Sequence, residues 1–324
     1  PLLGRFGKAT VVQPGGCPLG GRPIDYHIRG FSKLGACFKD DSNSFSFELL
    51  KDSSKEVKRE FFFEYPSVGA TENLLMCAAG LEGTTTLVNA SFEPEVLALV
   101  DVLSKMGVEV DFAWPHTMII HGFKDLEPVD CTVIPDRIEA GSLLCAIAAT
   151  GGKGGVANIN AEYMGLFIEK FKEMGHSVKV GSGGVGVWIE SCKNPKAVNL
   201  KTAPYPGFPT DLQSTTMAAM LNCSGSALVD ETVFSARFSH VPELCKMGAD
   251  ISVIGQKATM KCGKNLCGAE VVARDIRAGY ALLIAGMLAE GQTRVFGVDH
   301  IRRGYHKFDE KLNSLGASVK VFHD

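Results

Sequence analysis

The sequence predicts an α/β fold built from repeated βαβαββ units. One pattern is an apolar residue, a glycine and then a run in which apolar residues alternate, as in "KLGACF" and "KMGVEV". The glycines of its five copies are Gly35, Gly107, Gly175, Gly248 and Gly316. In a second pattern, a helix-like apolar run ends at a glycine before a strand-like run, at Gly7, Gly83, Gly154, Gly225 and Gly291. Both repeat at roughly 70 residues, which is too long for most solenoids and indicates a duplicated subdomain.

The clearest copy of the unit covers residues 59–123. The predicted order is strand "REFFFEY", helix "TENLLMCAAGL", strand "TTTLVNA", helix "EPEVLALVDVLSKMG", and strands "VEVDF" and "HTMIIHGF". In the second helix Val96, Val100 and Leu103 share one face, and Pro94 occupies the first turn, where proline is tolerated.

The second half of the repeated unit occurs five times, but its first half is complete only four times. The opening copy, "PLLGRFGKATVV", lacks its first strand and most of its first helix. We therefore interpret the chain as the C-terminal portion of a longer two-domain architecture. Proline and charge interrupt the pattern near "GFKDLEPVDCTVIP", which predicts a partial first domain over residues 1–130 and a second domain of three units over residues 131–324.

Composition indicates a protein that acts on small molecules. The formal net charge is −3 and like charges do not cluster, so neither a basic nucleic-acid face nor a polybasic membrane anchor is expected. The longest apolar stretch, residues 280–288, is shorter than a membrane span of about 20 residues. Cysteines such as Cys77 and Cys145 lie in apolar runs, which predicts buried thiols in a reducing compartment.

No metal site is predicted. Cys262 and Cys267 form the one close cysteine pair, but no second pair or histidine follows at ligand spacing. Two ordinary thiols beside a turn are the favoured interpretation. "GSGGVG" at residues 181–186 precedes a strand instead of a helix, so it fails the context of a dinucleotide fingerprint and predicts a hairpin turn.

Each unit carries a polar turn between its first strand and first helix. These turns align at Ser67, Asp136, Asp211 and Asp275, which are all residue types that favour helix N-caps. Capping alone accounts for them, but equivalent helix N-termini that converge would also attract anions. Arg137, Arg277 and Arg303 lie in or near such turns, which favours a substrate with phosphate or carboxylate groups.

Cys17 differs from the other thiols because it lies in the glycine-rich segment "GGCPLGGRP". We expect an exposed, mobile loop, in which Arg22 favours the thiolate and the thiol acts as a nucleophile or proton donor. The alternative is an incidental surface cysteine.

Long stretches of the chain resemble the UDP-N-acetylglucosamine 1-carboxyvinyltransferase family of enolpyruvyl transferases. They include "PGGCPLGGRPIDYHIRG", "SVGATENLLMCAAGLEGTTTLVNASFEPE", "APYPGFPTDLQ", "RDIRAGYALLIAGMLAEGQT" and "HIRRGYHKFDEKLNSLGA". The resemblance implies a two-domain inside-out α/β barrel of βαβαββ subdomains, of which the first and part of the second are absent here. It also implies transfer of the enolpyruvyl group from phosphoenolpyruvate to the 3-hydroxyl of UDP-N-acetylglucosamine, with phosphate release through a tetrahedral intermediate.

The resemblance also implies residue roles. Cys17 would be the proton donor that forms an adduct with phosphoenolpyruvate and is alkylated by fosfomycin, and Asp211 the general base at the sugar hydroxyl. Asp275 would line the reacting centre, and phosphoenolpyruvate would contact Arg22, Arg277 and Arg303. The nucleotide sugar would contact Arg22, Pro23, Ile24, Asp25, Tyr26, Ser67, Val68, Gly69 and Val233. No cofactor is implied.

The same resemblance places the activity in peptidoglycan precursor synthesis in the cytoplasm, or in the plastid stroma of a plastid-bearing source. Tyr65, Ser235 and Arg302 depart from common family residues, and the family's N-terminal Lys-Asn motif has no counterpart. Two alternatives stay open: a non-catalytic nucleotide-sugar-binding truncated homologue, and 3-phosphoshikimate 1-carboxyvinyltransferase, against which the Cys17 loop and "RPIDY" argue.

Overall fold

The structure, a computed structural model, describes residues 1–12, 24–41, 43–50, 58–122 and 125–322. These residues form two compact units, one up to Ile134 and one from Pro135 onward. Helices and mixed sheets alternate in both units, which confirms the predicted α/β class. No helix in the described ranges is long and apolar enough to cross a membrane.

The first unit contains two sheets. Its helices are α1 (Leu2–Phe6), α2 (Asp25–Lys33), α3 (Val68–Ala79) and α4 (Pro94–Lys105). Its strands are β1 (Lys8–Val12), β2 (Ala36–Asp40), β3 (Ser44–Leu49), β4 (Lys58–Phe62), β5 (Gly83–Val88), β6 (Glu109–Ala113) and β7 (Thr117–Gly122). The sheet orders are β1-β3-β2 and β4-β5-β7-β6.

The unit predicted over residues 59–123 is confirmed as βαβαββ. Strand β4 pairs parallel to β5 with Phe61 opposite Leu87, as a crossover connection through α3 allows. Strand β7 lies between β5 and β6 and is antiparallel to both. Val96, Val100 and Leu103 of α4 are buried, as their spacing predicted.

The second unit repeats this arrangement three times, and within the described residues only the middle copy has all four strands. Its helices are α5 (Arg137–Ala149), α6 (Gly165–Glu173), α7 (Gln213–Met220), α8 (Val241–Lys246), α9 (Ile276–Leu288), α10 (Val298–Arg302) and α11 (Phe308–Ser314). Its strands are β8 (Lys153–Asn160), β9 (Ser177–Val180), β10 (Val185–Glu190), β11 (Leu200–Lys201), β12 (Ser226–Asp230), β13 (Asp250–Ile254), β14 (Lys257–Lys261), β15 (Glu270–Val272) and β16 (Arg294–Phe296). The sheet orders are β8-β10-β9, β11-β12-β14-β13 and β15-β16.

Helices α5, α7 and α9 form the centre of the second unit. They pack against one another and bury residues on nearly every face, and all eight residues of α7 are buried. A helix that is apolar all round belongs inside a protein. The sheets therefore surround a helical core, and the first turns of α7 and α9 position the candidate site.

Backbone conformation explains the first glycine pattern. Its five glycines follow helices and all have φ between 94° and 101°. Only glycine adopts this left-handed region without strain, so each one turns the chain from a helix into a strand. In the second pattern the prediction of Gly154 is wrong. Gly151, with φ 71°, ends the turn after α5, whereas Gly154 lies inside β8. The segment "GGKGG", residues 151–155, contains two glycine pairs, and the sequence pattern alone did not tell which pair forms the turn.

Candidate functional site

Three of the four predicted N-caps are confirmed, and the exception is Asp211. Ser67 accepts a hydrogen bond from Ala70 N–H, and Asp136 and Asp275 each accept two backbone bonds at the start of α5 and α9. Asp211 caps nothing, because it lies inside a 3₁₀ turn, Thr210–Leu212, that leads directly into α7. Its carboxylate is therefore available for other partners.

Those partners are two arginines. Arg277 Nη2 donates to Asp211 Oδ2 at 2.9 Å, and Arg237 Nη2 donates to Asp211 Oδ1 at 2.5 Å. The Arg237 side chain is 3% exposed and that of Arg277 is 15% exposed. Two guanidiniums against one carboxylate leave a net positive charge in a mostly dry environment, where charge interactions are strong.

Protonation follows from this arrangement. Burial opposes ionisation of Asp211, but the charges of Arg277 and Arg237 outweigh it and hold its pKa below the usual range. Burial likewise disfavours the charge of Arg277, and Asp211 reverses this effect and raises the pKa of Arg277. Asp211 and Arg277 are therefore both charged at neutral pH.

Both arginines keep a nitrogen for another ligand. Within the described ranges, Arg277 Nη1 and Arg237 Nε are buried and have no hydrogen-bond partner. Unpaired buried donors are costly, and a guanidinium matches the geometry of carboxylate and phosphate. The pair has the charge and the free donors to bind an anion.

Asp275 lies beside this pair. Its Oδ1 caps α9 through Arg277 N–H and Ala278 N–H, and its Oδ2 accepts a hydrogen bond from Ser239. His240 is fully buried, and neither of its ring nitrogens has a partner in the described part of the chain. Burial lowers the pKa of His240 to about 4, although the charge of Asp275 acts in the opposite direction. The imidazole is therefore neutral.

Aromatic side chains support the first turn of α9. The Arg277 guanidinium lies 5.2 Å from the centre of the Tyr305 ring, and that ring packs on Tyr280 at 4.2 Å. The Tyr305 hydroxyl is 2.9 Å from Ser142 Oγ of α5. Burial raises the pKa of both tyrosines, so they are neutral. These contacts hold the Arg277 side chain between Asp211 and the Tyr305 ring.

Val233 is positioned by a buried carboxylate. Glu231 accepts hydrogen bonds from Val233 N–H at 2.9 Å and from Thr210 Oγ1 at 3.0 Å. Thr210 immediately precedes Asp211, the predicted general base. Through these two hydrogen bonds, Glu231 therefore connects Val233, the predicted sugar contact, to the segment that carries Asp211. The structure thus brings together Val233, Asp211, Asp275 and Arg277.

The first unit holds the other predicted contacts. Ile24 precedes α2, Asp25 and Tyr26 begin it, and Ser67, Val68 and Gly69 form the start of α3. His27 links the two groups, since its Nδ1 lies 3.3 Å from Asn73 Nδ2 of α3. Burial lowers the pKa of His27, although Asp25 opposes the shift. This contact joins α2, which Asp25 and Tyr26 begin, to α3.

Three predicted residues, Cys17, Arg22 and Pro23, lie outside the described residues. Arg303 is exposed and directly follows α10. The residue that sequence reasoning missed is Arg237. The signal was the arginine of "SARFSHV", residues 235–241, close to Val233, but nothing in the local pattern placed it opposite Asp211.

Other thiols take no part in the site. Cys77 and Cys145 are buried as predicted, and burial raises their pKa values to about 11 and about 12. Cys262 and Cys267 are free, and the described part of the chain contains no cluster of metal-ligating side chains.

Comparisons with known proteins agree with one another. Residues 1–312 match the family model of EPSP synthase (3-phosphoshikimate 1-carboxyvinyltransferase). The chain is 43% identical over 319 residues to UDP-N-acetylglucosamine 1-carboxyvinyltransferase 1 of Caldanaerobacter subterraneus subsp. tengcongensis, covering 98% of this chain and 75% of the relative. It is also 43% identical over 321 residues to UDP-N-acetylglucosamine 1-carboxyvinyltransferase of Thermotoga petrophila, and the match covers 99% of this chain and 75% of that relative.

Solved structures show the same fold. The enolpyruvyl transferase NikO from Streptomyces tendae superimposes with a TM-score of 0.84 at 24% identity, over 98% of this chain and 74% of NikO. EPSP synthase from Acinetobacter baumannii superimposes with a TM-score of 0.75 at 18% identity, over 99% of this chain and 78% of that one.

Proposed function

The chain belongs to the enolpyruvyl (carboxyvinyl) transferase family, and we propose that it transfers the enolpyruvyl group from phosphoenolpyruvate to the 3-hydroxyl of UDP-N-acetylglucosamine. The observation that carries the proposal is the Asp211 carboxylate held between Arg237 and Arg277. Relatives that share 43% identity with this chain carry the name of this activity.

The arginine pair suits phosphoenolpyruvate, which carries a carboxylate and a phosphate. The free Arg277 Nη1 and Arg237 Nε supply buried donors for one of these groups. Arg303 and Arg22 are proposed to contact the other. The nucleotide sugar is proposed to lie along Ile24, Asp25 and Tyr26, with its diphosphate at the N-terminus of α3, where backbone N–H groups favour anions.

The reaction proceeds by addition and elimination. The Cys17 thiol donates a proton to the methylene carbon of phosphoenolpyruvate while the sugar hydroxyl attacks the adjacent carbon, giving a tetrahedral intermediate. The Cys17 thiolate then takes a proton back from the methyl group as phosphate departs, which forms the enolpyruvyl ether. Asp211 accepts the hydroxyl proton. Two arginines weaken it as a base, and an anionic substrate that engages them raises its proton affinity.

Peptidoglycan precursor synthesis in the cytoplasm, and alkylation of Cys17 by fosfomycin, belong to the same proposal. Treatment with fosfomycin is expected to add one molecule of the drug to the chain. Mass spectrometry of tryptic peptides is expected to locate the adduct on Cys17, and prior incubation with both substrates is expected to slow its formation.

The proposal is tested by adding both substrates to the purified chain and measuring phosphate release. Cys17→Ser and Asp211→Asn are expected to lower the rate by roughly 10²-fold or more. Cys37→Ser and Asp299→Asn, at exposed positions, are the matched controls. Release that depends on both substrates supports the proposal.

The main alternative is a non-catalytic nucleotide-sugar-binding homologue; the chain spans about three quarters of the length of the relatives it matches. Isothermal titration with UDP-N-acetylglucosamine separates the two. Binding without phosphate release under any substrate combination would establish the alternative. Release with shikimate 3-phosphate in place of the nucleotide sugar would instead indicate the sister activity.

A further inference from the structure

Glu231 is a buried residue directly after β12 that takes no part in the proposed proton transfers. It is 1% exposed. Its Oε1 accepts hydrogen bonds from Val233 N–H at 2.9 Å and from Phe234 N–H at 3.1 Å. Thr210 Oγ1 lies within hydrogen-bond distance of both carboxylate oxygens, at 3.0 and 3.1 Å. Three donors therefore replace the water that burial removes from this group.

Two series of contacts lead from Glu231 to the Asp211 carboxylate. The first is short, because Thr210, which donates to Glu231, precedes Asp211 in the same 3₁₀ turn. The second passes through Phe234, whose N–H donates to Glu231. The Phe234 ring lies 5.5 Å from the Arg237 guanidinium, which in turn donates to Asp211 Oδ1. The contacts form a closed ring, so a displacement of Glu231 affects both partners of the Asp211–Arg237 pair.

Hydrogen bonds also fix the backbone at Glu231. Its N–H donates to Gln256 C=O at 2.9 Å, and its C=O accepts from Gln256 Nε2 at 3.1 Å. The next residue, Thr232, bonds to Thr202 through its N–H and through its hydroxyl. A side chain on a fixed backbone has few alternative positions, so the Glu231 carboxylate is suited to hold other groups in place.

We propose that Glu231 is a positioning residue, which sets the geometry of Asp211 and Arg237 without contacting the substrate. The inference rests on the proposed function, in which Asp211 accepts the proton of the sugar hydroxyl. A small displacement of a catalytic group lowers a reaction rate strongly. The Thr210 bond holds the turn that carries Asp211, and the two backbone bonds hold the loop that carries Arg237.

Removal of the carboxylate tests the proposal. Glu231→Ala is expected to lower kcat at saturating substrates about tenfold or more, because the Asp211 turn and the Arg237 loop lose their common partner. Glu231→Gln has the same shape, an oxygen that accepts from the loop and an amide that donates to the Thr210 hydroxyl. It is expected to retain most of the parent kcat.

Glu243→Ala is the matched control. Glu243 is also buried and accepts a backbone hydrogen bond, from Val272 N–H at 3.0 Å, but it has no contact with Asp211 or Arg237 among the hydrogen bonds of the described ranges. Its removal is expected to lower the thermal unfolding midpoint, as Glu231→Ala does, and to leave kcat near the parent value.

A double-mutant cycle separates positioning from a general loss of structure. If Glu231 acts through Asp211, Glu231→Ala lowers kcat no further once Asp211→Asn has removed the base. The double variant is therefore expected to have the kcat of Asp211→Asn alone. Losses that multiply would show that Glu231 supports only the folded structure, and would overturn the proposal.

Thr210 provides a milder pair of variants, which keeps the test valid if Glu231→Ala does not fold. Thr210→Val removes only the hydroxyl that bonds to Glu231 and is expected to lower kcat about fivefold. Thr210→Ser keeps the hydroxyl and is expected to keep the parent kcat. Equal kcat values for the two variants would contradict the proposal.

A measurement without substrate distinguishes failure of this inference from failure of the proposed function. In a chain labelled with ¹⁵N-arginine, the two Nη groups of Arg237 are expected to give separate NMR signals, because Asp211 holds one of them. Glu231→Ala is expected to free the guanidinium and merge these signals, and Glu231→Gln to keep them separate. Separate signals in Glu231→Ala would overturn the inference. Merged signals in a chain that releases no phosphate would uphold the positioning role and refute the proposed function alone.

Discussion

Asp211 and Arg277 are 66 residues apart in the sequence and form a 2.9 Å hydrogen bond at the centre of the candidate site. The two residues occupy equivalent corners of successive repeats, one before α7 and one in the first turn of α9. Packing of these helices brings the corners together. Duplication of one structural unit has thus supplied both halves of a charged pair.

Arg277→Lys tests the anion site. The Arg277 guanidinium bonds Asp211 through Nη2 and keeps Nη1 for the substrate. Lysine retains the charge but has a single nitrogen, so kcat/KM for phosphoenolpyruvate is expected to fall roughly 10²-fold. Steady-state phosphate release measures the change. Arg294→Lys, at an exposed pair with Glu270, is the control and is expected to behave like the parent chain. Equal rates for the two variants would remove Arg277 from the proposed site.

Ser67→Ala tests the helix N-terminus as a diphosphate site. Loss of the cap on α3 is expected to lower the free energy of unfolding by about 1 kcal/mol and to weaken binding of UDP-N-acetylglucosamine. Ser67→Thr keeps the hydroxyl and is expected to retain both. Calorimetry measures stability and affinity together. A destabilised variant with unchanged affinity would assign Ser67 to capping alone.

His240 predicts a pH dependence of stability. Its folded pKa of about 4 lies below the ordinary value of 6.5, so the unfolded chain binds the proton more tightly. Stability is therefore complete above pH 6.5 and declines as the pH falls toward 4, by roughly 3 kcal/mol in total. Urea unfolding between these pH values measures the decline.

His240→Gln is expected to flatten that pH dependence, because glutamine does not titrate. His306→Gln, at an exposed position, serves as the matched control and keeps the slope of the parent chain. A parent-like slope in the His240→Gln chain would show that other groups cause the acid sensitivity.

Gly35→Ala tests the repeat glycines. Gly35 has φ 94° and no atom within 4 Å of an added Cβ, so strain alone is expected to reduce the free energy of unfolding by about 1 kcal/mol. Gly165→Ala, equally uncrowded but at φ −49°, is expected to cause no loss. Thermal unfolding compares the pair, and similar midpoints would contradict the role given to the repeat glycines.

Local patterns were sufficient for much of the fold. Helix α4 was predictable because its apolar spacing, Pro94 and Gly107 all lie within a few turns of one another. Arg237 was not predictable in this way, since its partner Asp211 is 26 residues away and separated from it by α7 and β12. Asp211 itself was an expected N-cap, and only the 3₁₀ turn before α7 directs its carboxylate to the arginines.

The sequence by itself determined the repeated α/β unit, the left-handed turns at the repeat glycines, and the polar residue at each helix start, because each depends on neighbours along the chain. The tertiary structure decided which corners meet and which arginines surround the Asp211 carboxylate. Those features depend on the packing of α5, α7 and α9 and on pairing between distant strands, which short-range periodicity does not encode.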